Sequence, residues 1–203
     1  MEINPGETNV REQFKDEVFK ERLKHREIWI NGNIDNILIE KLYVNLLNMN
    51  DLSNDKILVT INSWGGDMYE AVVATDIMKT VSAPIVTIAL AKAVSAGFII
   101  FMGGDNRIIH NNTCLMMHPP ALWGLGKVPQ IQNHLDYVNK TIDKMAVFFT
   151  KQTDNKTTVD YWKKLMHEEK DIYFTAQEAL KLGLVHKIIG EDKHRDTRHM
   201  WKV

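Results

Sequence analysis

A serine, a histidine and an aspartate, the three residue types that together perform acyl transfer, occur in this chain in settings suited to that chemistry. Ser95 lies in Ala93-Val94-Ser95-Ala96-Gly97, between a Thr/Val/Ile run and a helix-like apolar run. A hydroxyl there stands at the positive end of a helix dipole, where backbone N–H groups can stabilise a developing oxyanion. Its small neighbours leave room for a substrate chain. A plain helix-capping serine fits the same local sequence, and caps far outnumber nucleophiles. His118 follows Cys114–Met117 and precedes Pro119-Pro120. Strand ends that face a loop are where α/β folds place reactive groups. Read alone, it is one of eight histidines at a loop mouth. Asp171, before Ile172-Tyr173-Phe174, could accept a hydrogen bond from an imidazole N–H and hold its tautomer. Lone carboxylates are more often surface charges. Triads assemble across a fold, so spacing along the chain leaves both readings open for each residue. Lys92, close to Ser95, adds a lysine base as a further alternative, against simple placement on the strand-to-helix connection.

The elements that must position these groups are legible from periodicity. Glu27 to Ile30 read as a strand closed by Asn31-Gly32, and Ile39, Leu42, Tyr43 and Leu46 predict an amphipathic helix over residues 36–49. Ile57 to Ile61 read as a buried strand that ends in the loop Asn62-Ser63-Trp64-Gly65-Gly66. A helix over 67–80, a strand from Ile85 to Leu90, and a helix opened by Ser95 and ended by a cap at Gly103-Gly104 follow. Arg107–His110 and Cys114–Met117 are two more short strands. This alternation argues for an α/β fold with a largely parallel sheet. After a Pro- and Gly-rich loop at 119–130, Ile131, Leu135, Val138, Ile142, Met145 and Phe149 mark a long helix with one narrow apolar seam. That seam packs either on its own domain or on a partner subunit. Thr175 and Glu178 form a capping box for a short helix stopped by Gly183, and Leu184 to Ile189 make a last strand.

The 203 residues suit one domain, and 44% hydrophobic with 25% charged content is ordinary for a globular chain. A net charge of −1 suggests neither nucleic acid nor an anionic membrane as a partner. The one cysteine, Cys114, cannot form an intrachain disulfide, which fits a reducing cytoplasm, and its apolar neighbours predict a buried, inert thiol. The most apolar window, Ala83 to Met102, is broken by Pro84, Lys92, Ser95 and Gly97, so it reads as two buried elements rather than a membrane span. Residues 1–25 form a polar arm without the apolar stretch of a secretory signal, 26–190 the domain, and 191–203 a charged tail.

Four segments, in order, carry a resemblance that covers about Leu23 to Ile189. Asn62-Ser63-Trp64-Gly65-Gly66, Ala93-Val94-Ser95-Ala96-Gly97, Met116-Met117-His118-Pro119-Pro120 and Lys170-Asp171-Ile172-Tyr173-Phe174-Thr175-Ala176 are similar to the motifs of the ClpP family, the self-compartmentalising serine peptidases. The resemblance implies a ClpP/crotonase-like spiral of β-α-β units with a protruding handle, here about 119–151. It implies Ser95 as nucleophile, His118 as general base and Asp171 as its orienting acid, with no metal or cofactor. The backbone N–H groups of Gly66 and Ala96 would form the oxyanion hole, and Gly124, Leu125 and Gly126 a substrate-binding strand. The implied assembly is a homo-oligomer of two stacked heptameric rings, a tetradecamer that degrades polypeptides, and Glu169-Lys170 keeps a charge pair beside Asp171 where the family has ring–ring salt bridges. Trp64 stands where the family has proline. Aromatic positions of the family's pocket for an AAA+ unfoldase are here Leu58, Thr60 and Thr80. A structural ring subunit with little catalysis of its own is the alternative function.

Overall fold

A computed structural model of the chain describes residues 17–121, 126–168 and 170–190. A helical segment, α1 (17–24), leads into β1 (Glu27–Ile34), α2 (Asn36–Leu52), β2 (Ile57–Gly66), α3 (Met68–Thr80) and β3 (Ile85–Val94). Then come α4 (Ala96–Met102), β4 (Asn106–His110), β5 (Cys114–Met117), α5 (Val128–Gln152), α6 (Val159–His167), β6 (Ile172–Phe174), α7 (Ala176–Lys181) and β7 (Lys187–Ile189). Asp35 and Asp67 start α2 and α3 by accepting the first free backbone N–H groups, and the predicted capping box of Thr175 and Glu178 starts α7.

The strands run in parallel in the order β1-β2-β3-β4-β7, the mixed α/β arrangement expected from the alternation of elements. The strand β3 is a fork. Its first part, Val86–Ala89, pairs with β4, and its last part, Lys92–Val94, pairs with β5. Between the two parts Ala91 takes a left-handed backbone angle, φ 62°, which turns the strand from one partner to the other. The β5–β6 pair is antiparallel, a local departure from the parallel sheet. All of Ile57–Ile61 is buried, as the inner strand of a parallel sheet should be.

Several elements exceed their predicted limits. Asn31-Gly32 does not close β1, because Asn31 stays in register with Asn62 and the strand resumes after an irregularity. The segment from Asn62 to Gly66 continues β2 instead of forming a free loop, since β1 and β3 on its two sides supply its ladder partners. Gly103 is right-handed (φ −68°), so α4 ends without the left-handed cap that the two glycines suggest. The helix α6 has no counterpart in the periodicity reading.

Most of the core lies between the sheet and the helices. Phe98 of the fully buried α4 sits among Phe149, Phe174 and Trp162, with ring centroids 5.7, 5.9 and 6.2 Å away. Trp162 satisfies its indole N–H on Thr157 Oγ1 at 2.7 Å. Only the C-terminal half of α5, from Val138 to Phe149, is buried; Val128, Ile131 and Leu135 of the same seam are exposed in the protomer.

A buried arginine ties helix ends together. Arg107 is 2% exposed and donates to the carbonyls of Gly104 (2.9 Å), Leu184 (2.7 Å), Gly183 (3.0 Å) and Gln152. These carbonyls follow or end α4, α7 and α5, where helix dipoles are negative and backbone acceptors lack partners. Burial lowers its pKa to about 10, so it remains charged at neutral pH. His186 Nδ1 accepts the Arg107 backbone N–H at 3.0 Å, and burial, then the Arg107 charge, hold this imidazole below its ordinary value.

Replacing Arg107 with Met strands several buried carbonyls at once, and stability should fall by about 3 kcal/mol. That is a melting-temperature loss of roughly 6–12 °C for a chain of this size. The His186 effect has the opposite sign from that of a paired histidine. Its folded pKa is depressed, so the unfolded chain takes up the proton first. Its contribution is fully present above about pH 6.5 and declines as pH falls below that value. Melting temperatures taken between about pH 7.5 and 5.5 should drop toward acid, and His186→Asn should flatten the slope.

Candidate active site

The fork in β3 delivers Ser95 to the end of the strand in an unusual conformation. Its φ is 55° and ψ −122°, a region that costs an L-residue of order 1–3 kcal/mol. The surroundings hold it there: its N–H donates to Met116 O (2.9 Å), and its carbonyl accepts from Phe98 N (2.9 Å). The hydroxyl makes no capping hydrogen bond to α4. It lies 2.8 Å from His118 Nε2 instead. The capping reading of Ser95 is thereby excluded. With the imidazole neutral and its hydrogen on Nδ1, the serine O–H donates to Nε2, the geometry in which a general base takes a nucleophile's proton.

His118 owes its position to β5, whose last residues pair with Val94 on one side and with β6 on the other. The antiparallel register Leu115↔Phe174, Met116↔Tyr173, Met117↔Ile172 brings Asp171 opposite His118 at its next step. The Asp171 carboxylate is nevertheless exposed, and among the described residues it makes no hydrogen bond or ion pair. The fold thus puts Asp171 beside His118 without joining them. Glu169 lies outside the described residues; Lys170 pairs with Glu168 at 3.3 Å.

Gly65 and Gly66 bring the end of β2 against the nucleophile. A Cβ on Gly65 (φ 105°) would fall 2.7 Å from Ser95 Cβ, and one on Gly66 (φ 151°) 2.2 Å from Ile34 O. Both positions therefore require glycine, on conformation and on space. Ala96 is the first residue of α4, so its N–H is among the helix's free donors. Gly66, Ser95, Ala96 and His118 share the wall of one cavity of about 320 Å³. Its apolar lining includes Ile99, Ile142, Met145 and Met166.

Other expected residues fall elsewhere. Gly124 and Leu125 lie outside the described residues, and Gly126 is exposed just before α5, away from the cavity wall. Lys92 is turned from Ser95: its Nζ donates to Asn62 Oδ1 at 2.8 Å and stands over the Trp64 ring. The lysine-base reading fails on that geometry. Leu58 and Thr60 are buried on the sheet face away from the main core, Leu58 in a small cluster with Val86, Ile88, Ile108 and Ile189. Thr80 is exposed, with its hydroxyl on Asp76 O (2.8 Å). Cys114 is half-buried rather than fully enclosed, and burial pushes its thiol pKa up, with Lys92 acting weakly against it.

Sequence reading missed Tyr69 and His134, which also line the cavity. Tyr69 stacks on Tyr137 at 6.0 Å between ring centroids, linking the start of α3 to α5 above the site. No local pattern singles out His134. Met166 came with the unforeseen α6. Among the described residues no group of three or more His, Cys, Asp or Glu side chains could hold a metal ion, and no helix is long and apolar enough to cross a membrane.

Comparison with known proteins identifies the family. A family model described as Clp protease matches residues 10–192. An ATP-dependent Clp protease proteolytic subunit of Deinococcus radiodurans is 27% identical over 185 residues, spanning 90% of this chain and 88% of that protein. ATP-dependent Clp protease proteolytic subunit 2 of Treponema denticola is 30% identical, over 93% of this chain and 96% of its own length. The subunit 2 of Tropheryma whipplei is 29% identical, over 87% and 98%.

A methyl group at Gly65 should displace Ser95 or the end of β2. Gly65→Ala is expected to slow capture of Ser95 by a fluorophosphonate about a hundredfold. Intact-protein mass spectrometry over time measures that rate, and wild-type kinetics would contradict the close-approach argument.

Proposed function

Because the chain belongs to the Clp protease family, we propose that it is a ClpP-type serine endopeptidase that hydrolyses peptide bonds of unfolded or short polypeptides inside an oligomeric chamber. The observation that carries this reading is the 2.8 Å contact of Ser95 Oγ with His118 Nε2 at the wall of an apolar cavity. Ser95 Oγ attacks the peptide carbonyl while its proton passes to His118 Nε2. The N–H groups of Gly66 and Ala96 stabilise the oxyanion. Collapse breaks the C–N bond, and the imidazolium gives its proton to the leaving amine. Water, deprotonated by His118, then releases the acyl group and restores Ser95. Asp171 fulfils its part when its side chain turns onto His118 Nδ1, where it fixes the tautomer and stabilises the imidazolium.

The relatives are named as proteolytic subunits of ATP-dependent proteases. The motif resemblance extends this reading to stacked heptameric rings in the cytoplasm, fed by an AAA+ unfoldase. The exposed seam of Val128, Ile131 and Leu135 on α5 supports burial against another subunit. The absence of aromatic side chains at Leu58, Thr60 and Thr80 suggests a partner surface unlike the family's usual one. The free Asp171 carboxylate favours a second reading, a ring subunit that is silent until assembly or a partner aligns the aspartate.

Wild-type protein of measured native mass should react with a fluorophosphonate and cleave short fluorogenic peptides. Ser95→Ala and His118→Ala should each lower turnover by about 10⁶-fold, and Asp171→Asn by about 10⁴-fold. An assembled wild type that neither labels nor cleaves, alone or with an unfoldase, would overturn the peptidase in favour of the silent subunit.

A further inference from the structure

Trp64 stands immediately before the two glycines of the oxyanion segment, and it is 67% exposed. Tryptophan, unlike proline, leaves φ free, and the glycines after it add further freedom. Something else must hold this part of β2 in place. The parallel register Ser63↔Ala93 sets Lys92 of β3 level with Asn62 and diagonal to Trp64. The Lys92 ammonium lies 5.2 Å from the Trp64 ring centroid and donates to Asn62 Oδ1 at 2.8 Å. Asn62 Nδ2 in turn donates to Asn31 Oδ1 at 2.7 Å, so one cation joins β3, β2 and β1. Between Asn62 and Trp64, buried Ser63 accepts the Gly65 N–H at 2.9 Å and donates to Gly32 O at 2.6 Å. The segment thus held is the one that abuts Ser95 at Gly65.

Lys92 lines a niche of about 290 Å³ with Asn31, Asn62, Trp64 and Gly65, separate from the cavity that holds Ser95 and His118. It therefore does not touch the reacting atoms. We propose that Lys92, through its contacts with Trp64 and Asn62, is a positioning residue that holds the Gly65-Gly66 segment and so aims the Gly66 N–H at the oxyanion. This role rests on the peptidase reading given above. It also makes the pair Trp64 and Lys92 a functional unit, with the cation supplying the rigidity that a proline would otherwise build into the backbone.

The test uses the full-length assembled protein as wild type, Lys92→Met, Lys92→Arg, Trp64→Leu and the double variant Lys92→Met/Trp64→Leu, each labelled with 5-fluorotryptophan. Fluorogenic peptide hydrolysis should show kcat reduced about tenfold in Lys92→Met and in Trp64→Leu, with KM within about twofold of wild type. The double variant should be no worse than either single one, because both remove the same contact. Lys92→Arg, which keeps a cation for the ring, should recover most of the rate. The fluorine resonance that disappears in Trp64→Leu should shift in Lys92→Met. Wild-type kcat in Lys92→Met, losses that multiply in the double variant, or an unmoved Trp64 resonance would overturn the positioning role while leaving the peptidase reading intact. A wild type inert to both peptide and fluorophosphonate would overturn the peptidase reading, and this role with it, even where the fluorine shift reveals the contact.

Discussion

Ser95 holds a backbone conformation, φ 55° and ψ −122°, that a serine does not keep without help, and much of the neighbouring structure exists to supply that help. The forked β3 ends there, with β5 as the partner whose Met116 carbonyl binds the Ser95 N–H. On the other side, α4 is pinned by Phe98 within a cluster of aromatic rings contributed by α5, α6 and β6. From above, Gly65 leaves no room for a side chain. Strain of this kind turns the hydroxyl outward from its helix and toward His118, which a relaxed capping conformation would not do. α4 is buried on every side because all of its residues, Ala96 to Met102, are small or apolar, and that packing leaves Ser95 no slack to relax.

The site divides its chemistry between two strand ends and one helix end. β5 and β6 share an antiparallel register that carries His118 and Asp171 at neighbouring strand ends, although their side chains are not joined. Gly66 and the start of α4 bring backbone to the same cavity wall, where exchange of the side chains around them would leave the N–H groups in place. The cavity wall between them is apolar and includes Met145 and Met166, flexible side chains that can adapt to substrates of different shape.

Elsewhere the fold relies on cations to finish helices. Arg107 collects carbonyls at the ends of α4, α5 and α7, and Arg26 does the same at the end of α2, donating to Met49 O (2.7 Å) and Asp55 O (2.6 Å). Each replaces several separate caps with one planar donor set. In the case of Arg107, three helices that surround the active-site layer share one buried group, which makes their relative placement cooperative. Lys92 plays a comparable role for a strand.

The sequence by itself determined the element types, the order of the motifs and the residues worth suspecting. Ser95, His118 and Asp171 stand out through the segments that carry them, and Asp67, Thr175 and Glu178 act locally, through side chains reaching nearby backbone. Such short-range interactions leave a mark in the order of residues. The continuation of β2 through Gly65-Gly66 and the fork of β3 leave none, because the ladder partners that make them strands come from distant parts of the chain. The helix α6 does leave one, a capping Thr158 followed by Trp162, Leu165 and Met166 at helical spacing, which the periodicity reading passed over. Read locally, Ser95 is more readily a cap than a nucleophile, and only its place among the four motif segments favours the nucleophile. Only the tertiary structure shows where the hydroxyl goes, since its partner is a histidine 23 residues away, brought there by β5, and the backbone that aims it is held by packing rather than by local preference.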